Sequence, residues 1–263
     1  MLLFPSSSIF SGKITIPAGE RDGKEIFSIT AASQRIDSEV VPLQAILSAF
    51  TTSRDADLMI QFFDGMDPIG PQINTGGLPG LDQHVTPLYL IVHVGHTLYC
   101  KAFSKASVDK DLIYYFHFER EPEEEMNIRQ WIIAGSPTLA AYEAEYKMAE
   151  FIVSQGRILS LYQLGLARNA NITVYFKRDG VSIEPVDGIR CEASRDIDWP
   201  HRVDFAVDGD EFSKLLITCT NLSAASQEFP FRLLALDIPK AQAMEYGIKV
   251  PGAKGDPGAE RSQ

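Results

Sequence analysis

The segment His201-Arg-Val-Asp-Phe-Ala-Val-Asp208 sets Val203, Phe205 and Val207 on one side of an extended chain, and Arg202, Asp204 and Ala206 on the other. Side chains of a strand point alternately to opposite faces, so this is the pattern of a half-buried strand. Asp208-Gly209 closes it with a turn dipeptide, and the same punctuation recurs at Asp179-Gly180 and Asp187-Gly188. Around these turns lie NITVYFKR (171–178), VSIEP (181–185), GIRCEAS (188–194), KLLITCTNL (214–222) and FRLLALDIP (231–239). Short strands with regular turn signals read as an antiparallel sandwich over 169–240.

The N-terminal part reads the same way. SIFSGKITIPA (8–18) and KEIFSITAA (24–32) are strands at hairpin spacing, DLMIQFF (57–63) is a near-continuous apolar strand, and DLIYYFHF (111–118) is an aromatic one. LYLIVHVGHTLYCKAF (88–103) reads as a tight hairpin turning at Val94-Gly95. Residues 43, 46, 47 and 50 after Pro42 are apolar at helical spacing, which predicts a short helix there. The remainder makes 1–120 a second sandwich.

The middle has a different period. EREPEEE (119–125) is acidic and strand-breaking, and Ser136-Pro137 has the chemistry of a helix start. Leu139, Tyr142, Tyr146, Ala149 and Ile152 then recur at three- and four-residue steps, and Ile158, Leu159, Leu161, Leu164 and Leu166 extend the run. The expected fold is therefore mainly β: two antiparallel β-sandwich domains of jelly-roll or Ig-like type, joined by an amphipathic helical segment at 121–168. Residues 241–263 form a tail in which Gly252, Gly255 and Gly258 keep a collagen-like triplet. Three triplets are too few to nucleate a triple helix, so a polar, flexible tail is expected.

At 263 residues the chain is long enough to bury a core without metal or disulfide support. Cys100, Cys191 and Cys219 are few, odd in number and set in strand-like runs, which fits buried thiols in a reducing compartment; a Cys191–Cys219 bridge is the alternative. The formal net charge of −11 disfavours phosphate backbones and anionic lipid, so no nucleic-acid partner is expected. No apolar run is long enough to span a membrane and the N-terminus lacks a signal-peptide pattern, which predicts a soluble protein of the cytoplasm or a virion.

Candidate chemistry is sparse. The Gly- and Pro-rich stretch 64–87 reads as a long loop, and long loops carry binding surfaces more often than short ones. Its Asn74, Gly76, Gly77 and Gly80, with Tyr115 on an aromatic strand and Trp199 before Pro200, are the expected binding residues. His93 and His96, flanking Val94-Gly95, are candidate metal ligands, with His84 or His117 as a third. Asp196/Asp198 and Asp208/Asp210/Glu211 offer hard oxygens for calcium but depart from the EF-hand order, so turn and cap roles lead. No nucleophile elbow, P-loop or dinucleotide fingerprint occurs, and no cofactor is expected.

Two functional classes compete on these residues. The first is a non-catalytic structural or assembly subunit of a virion or appendage, acting as a homo-oligomer, with a trimer as one state. The second is a carbohydrate- or protein-binding module using the 64–87 stretch, with a glycan or protein partner. A metal-dependent enzyme built on His93 and His96 is the weaker third.

Overall fold

The computed structural model of the chain describes residues 7–31, 34–36, 39–41, 43–78, 86–122, 128–183, 187–193 and 201–243. The chain divides into two compact units, one of Met1–Met126 with Ile132–Ser136, the other of Asn127–Trp131 with Pro137–Gln263. The tail triplets, Gly80, His84, Asp196, Asp198 and Trp199 lie outside the described residues.

The first unit carries β1 (Ser7–Ile16), β2 (Lys24–Thr30), β3 (Gln34–Ile36), β4 (Glu39–Val41), β5 (Leu43–Thr52), β6 (Leu58–Asp64), β7 (Asp67–Asn74), β8 (Thr86–Val92), β9 (Thr97–Ser104) and β10 (Lys110–Pro122). Setting aside the small β3–β4 hairpin, they form two antiparallel four-stranded sheets, β1-β10-β5-β8 and β2-β9-β6-β7. Alternation drives one face of each sheet inward. On β10, Leu112, Phe116 and Phe118 are buried. Phe116 meets Phe50 of its own sheet at 5.8 Å, and crosses to Phe27 of the other at 4.8 Å and to Phe62 at 6.2 Å. Rings of this size dominate the apolar area that joins two sheets.

The second unit's strands are β11 (Arg129–Gly135), β12 (Thr138–Leu139), β13 (Tyr146–Ile152), β14 (Arg157–Leu166), β15 (Ile172–Arg178), β16 (Val181–Ser182), β17 (Ile189–Arg190), β18 (His201–Asp208), β19 (Lys214–Asn221), β20 (Gln227–Glu228) and β21 (Phe231–Pro239), followed by α1 (Lys240–Ala243). β11 opens here with residues 129–131, its later residues belonging to the first unit. The sheets are β11-β21-β14-β18 and β13-β19-β15-β16, with β17 also on β15 and β12 paired with β20. Phe176 of β15 packs across to Phe205 of β18 at 5.7 Å.

Both units obey one strand order. With the β3–β4 and β12–β20 pairs set aside and the other strands ranked along the chain, with β16 and β17 sharing a rank, each unit places its strands as 1-8-3-6 in one sheet and 2-7-4-5 in the other. Two four-stranded antiparallel sheets wound in this way are a jelly roll.

The mainly-β expectation therefore holds, and several local expectations are corrected. Residues 43–50, expected as helix, belong to β5. The helical segment expected within 121–168 is strand instead: β11, β12, β13 and β14. Ile152, assigned to an apolar helical stripe, is 72% exposed, and Tyr142 is 68% exposed at a turn with φ 55°. In β5, β13 and β14 a β-bulge accompanies the misreading. Register shifts at Leu47/Ala49 against β10, at Lys147/Ala149 and at Leu161/Gln163 insert an extra residue into a period of two and leave buried residues three or four apart.

The 88–103 hairpin is also corrected. β8 pairs with β5 and β9 pairs with β2 and β6, so the turn passes the chain from one sheet to the other; β1 and β2 likewise lie in different sheets. Within the expected 64–87 loop, residues 67–74 form β7. Pro68 and Pro71 lie on an edge strand, which has a ladder on one side only, and Pro71 falls where the β6–β7 register is interrupted.

Candidate functional site

The turn after β8 has the chemistry that most invites a ligand. His96 N–H donates to His93 O at 3.0 Å, and Gly95 alone in the turn takes positive φ (86°). Glycine third in a four-residue turn is the type II arrangement, which spares β-branched Val94 a left-handed conformation. Two hydrogen bonds fix the turn to the chain leaving β2: Gly95 N–H to Ala31 O at 2.9 Å and Ala31 N–H to His96 O at 3.2 Å. The rings of His93 and His96 stand edge to face with centroids 6.3 Å apart. Asp64, at the end of β6, holds His96 Nδ1 through Oδ2 at 2.7 Å.

The structure thus brings His93 and His96 together, as their spacing suggested, and adds Asp64, which no local signal in the sequence marked. His117 is elsewhere. It pairs in register with Ala49, whereas Val92, just before the turn, pairs with Ala45. Among the described residues no group of three or more His, Cys, Asp and Glu side chains gathers as a metal cage.

His117 takes part in a separate cluster with Ser48 and Glu119. Ser48 Oγ lies 2.8 Å from His117 Nδ1, and Glu119 Oε1 lies 3.6 Å from the same nitrogen. A nucleophile relay needs the hydroxyl on one ring nitrogen and the acid on the other. Here both address Nδ1, so the three do not form one.

The glycine-rich stretch is a pinned turn. Asn74 Oδ1 accepts from Gly76 N–H at 2.9 Å, and its Nδ2 donates to Ala56 O at 2.8 Å. Thr75 Oγ1 donates to Asp55 O at 2.8 Å, and Arg54 Nε donates to Leu78 O at 2.7 Å. Thr75, Gly77 and Leu78 are buried. A Cβ on Gly76 would stand 2.9 Å from Ala56 Cα and 3.0 Å from Ser136 Cβ, so glycine is needed for close approach. These contacts tie Asn74 and Gly76 into the fold, and Gly77 is buried beside them.

Tyr115 is half-buried on the outward side of β10, opposite Ser11 of β1 and Thr51 of β5. Ile9 and Ile113, exposed on β1 and β10, lie on that same side by strand alternation.

In the second unit, the acidic Asp208–Glu211 stretch is occupied by a cation from the chain itself. Lys240 Nζ lies 2.6 Å from Asp208 Oδ2 and 2.8 Å from Asp210 Oδ2. Asp210 Oδ1 also accepts from Gly156 N–H at 2.8 Å, and Lys240 N–H donates to Gly156 O at 2.8 Å. The two carboxylates raise the Lys240 ammonium's pKa, and Lys240 holds Asp210 below the usual carboxylate range. Calcium's place among the sequence alternatives is thus taken by an internal ion pair. Lys240 carried no signal in the sequence because it lies thirty residues downstream.

Other polar groups brace β14 and β21. Arg157 Nε donates to Asp237 Oδ1 at 2.6 Å and its Nη2 to Asp237 O at 2.8 Å. Arg232 is 2% exposed, and Gln130 Nε2 donates to the Tyr162 hydroxyl, whose pKa burial pushes up to about 12. The three cysteines are free and buried, so the bridge between Cys191 and Cys219 is not formed. Burial pushes both thiols up to about 12, and raises Cys100 well above the usual thiol range.

No helix among the described residues is long and apolar enough to cross a membrane. No family model matches the sequence. Among solved structures, the chain is similar to the major capsid protein P2 of bacteriophage PM2, at 10% identity over 88% of this chain and 97% of that one, with a TM-score of 0.43. It is similar to a chain of Sulfolobus turreted icosahedral virus, at 7% identity over 92% of this chain and 93% of that one, with a TM-score of 0.41. A protein described by the triple jelly roll fold and turret assembly of an archaeal virus aligns at 11% identity over 86% of this chain and 59% of that one, with a TM-score of 0.28. Likenesses this remote say nothing of what this chain binds or builds.

Proposed function

We propose that the protein is a structural subunit of a virion, non-catalytic, that works by associating with further copies of itself. The observation that carries this reading is the repetition of one jelly-roll strand order in both units of a single chain. Double-sheet jelly rolls recur in viral capsid domains, so the step from architecture to role is an analogy of fold. The polar clusters fit a scaffold. Asn74–Leu78 is held by its own hydrogen bonds, Asp208 and Asp210 are bridged by Lys240, and Ser48, His117 and Glu119 lack the layout of a relay. A subunit that serves by its shape needs stiff sheets and outward side chains for neighbours to cover, such as Ile9, Ile113 and Tyr142.

The test is the native mass by size-exclusion chromatography with light scattering, followed by negative-stain microscopy of any large species. Closed oligomers or larger particles that grow with concentration are expected. A strict monomer at every accessible concentration and ionic strength overturns the reading.

A further inference from the structure

We propose that the turn joining β8 to β9 is a binding site for a divalent transition-metal ion of the zinc, nickel or copper class, held by His93 and His96 and oriented by Asp64. The proposal is independent of the assembly reading. Four observations lead to it.

The turn presents two imidazoles three residues apart, with centroids separated by 6.3 Å, close enough for one ion to reach both after small ring rotations. Zn–N bonds of about 2.0–2.1 Å set that scale. The backbone beneath is fixed at Gly95, Ala31 and His96, so little ordering is left for the ion to impose. His96 is exposed, at 54% for its side chain, and His93 is exposed as well. Finally, Asp64 engages His96 Nδ1 at 2.7 Å. With Nδ1–H donated to a carboxylate, Nε2 is the nitrogen that carries the lone pair. A carboxylate behind the imidazole is the usual outer partner of a ligating histidine and fixes the orientation of its ring.

The donor set selects the ion. Neutral imidazoles suit zinc, nickel and copper(II), whereas magnesium and calcium take hard oxygens in greater number. Two histidines leave coordination positions open, to be filled by water. Binding is therefore weaker than in a closed structural site.

Isothermal titration of the full chain with ZnCl2 at neutral pH, after chelator treatment, tests this, with MgCl2 as the contrasting ion. One zinc ion per chain, no magnesium heat, and loss of zinc binding in the His93→Ala/His96→Ala double variant are expected. Asp64→Asn should keep both ligands and weaken zinc about 10–100-fold, the usual effect of removing an outer carboxylate. All three side chains are exposed or half-exposed, and far-ultraviolet circular dichroism checks that each variant keeps its fold. Absence of zinc binding to the parent chain, or unchanged binding in the double variant, overturns the site. Equal affinity of Asp64→Asn and parent overturns the role given to Asp64.

Discussion

Replacing Phe116 by alanine probes the core that joins the first unit's two sheets. The ring is fully buried, and Phe27, Phe50, Phe62 and Tyr114 surround it at centroid distances of 4.8, 5.8, 6.2 and 5.8 Å. Phe→Ala in a well-packed core costs about 3–5 kcal/mol through lost transfer energy and the cavity left behind. Each aromatic pair adds about 0.5–1.5 kcal/mol beyond area. With four ring neighbours that belong to two sheets and cannot all close inward, the upper part of the range, about 4–5 kcal/mol, is expected. Ile113→Ala, three residues away on the exposed side of the same strand, should change stability by no more than about 1 kcal/mol. Urea unfolding followed by far-ultraviolet circular dichroism measures both. A loss under about 1.5 kcal/mol for Phe116→Ala, or equal losses for the two variants, would refute the assignment of Phe116 to the inter-sheet core.

Three further outcomes can be checked. Gly209→Ala brings a Cβ to within 2.0 Å of Ser154 O and should destabilise by several kcal/mol, whereas Gly180→Ala meets open space and bears only the strain of φ 86°, about 1–2 kcal/mol; thermal melts that rank them the other way would contradict the packing at the Gly156 turn. All three thiols should resist a disulfide reagent at pH 8 in the native protein and react once it is unfolded, since burial keeps them protonated; prompt native labelling would place at least one at the surface. Asp111, Glu150, Asp179 and Asp210 are held below the usual carboxylate range, first by Lys13, Lys214, Ser213 and Lys240 respectively. The unfolded chain then binds protons more readily, so their stabilisation is complete above about pH 5 and is lost as pH falls through the lowered folded values. Denaturation midpoints should drop from about pH 5 towards pH 2, less steeply in Lys240→Met, and a flat profile would speak against these pairings.

The strands at both ends were legible because their inward residues alternate cleanly, as Leu112, Phe116 and Phe118 do on β10. Interrupted alternation misleads in three strands, though bulged β2 stays legible as KEIFSITAA. β5, β13 and β14 each carry a bulge, and the displaced period passes for that of a helix. Pairing was less legible still, because turn chemistry is local while the choice of sheet is made by partners far along the chain. Val94-Gly95 signals a reversal correctly, but nothing nearby reveals that β8 joins β5 and β9 joins β2. The same limit governs the candidate sites. The histidine pair is close in sequence and could be found there. Asp64 beside His96 and Lys240 beside Asp208 come from remote segments, and only folding unites them.

The placement of β1 beside β10 bears on how the protein is made. Ser7 finds its partner in Glu119, and Ile16 in Lys110, so the opening strand leaves the ribosome about a hundred residues before the segment that will lie against it. At translation rates of about 5–20 residues per second that interval is roughly 5–20 s. Throughout it the nascent chain must carry Phe10, Ile14 and Ile16 without their cover, which makes this the window in which a holdase chaperone would improve the yield of folded protein.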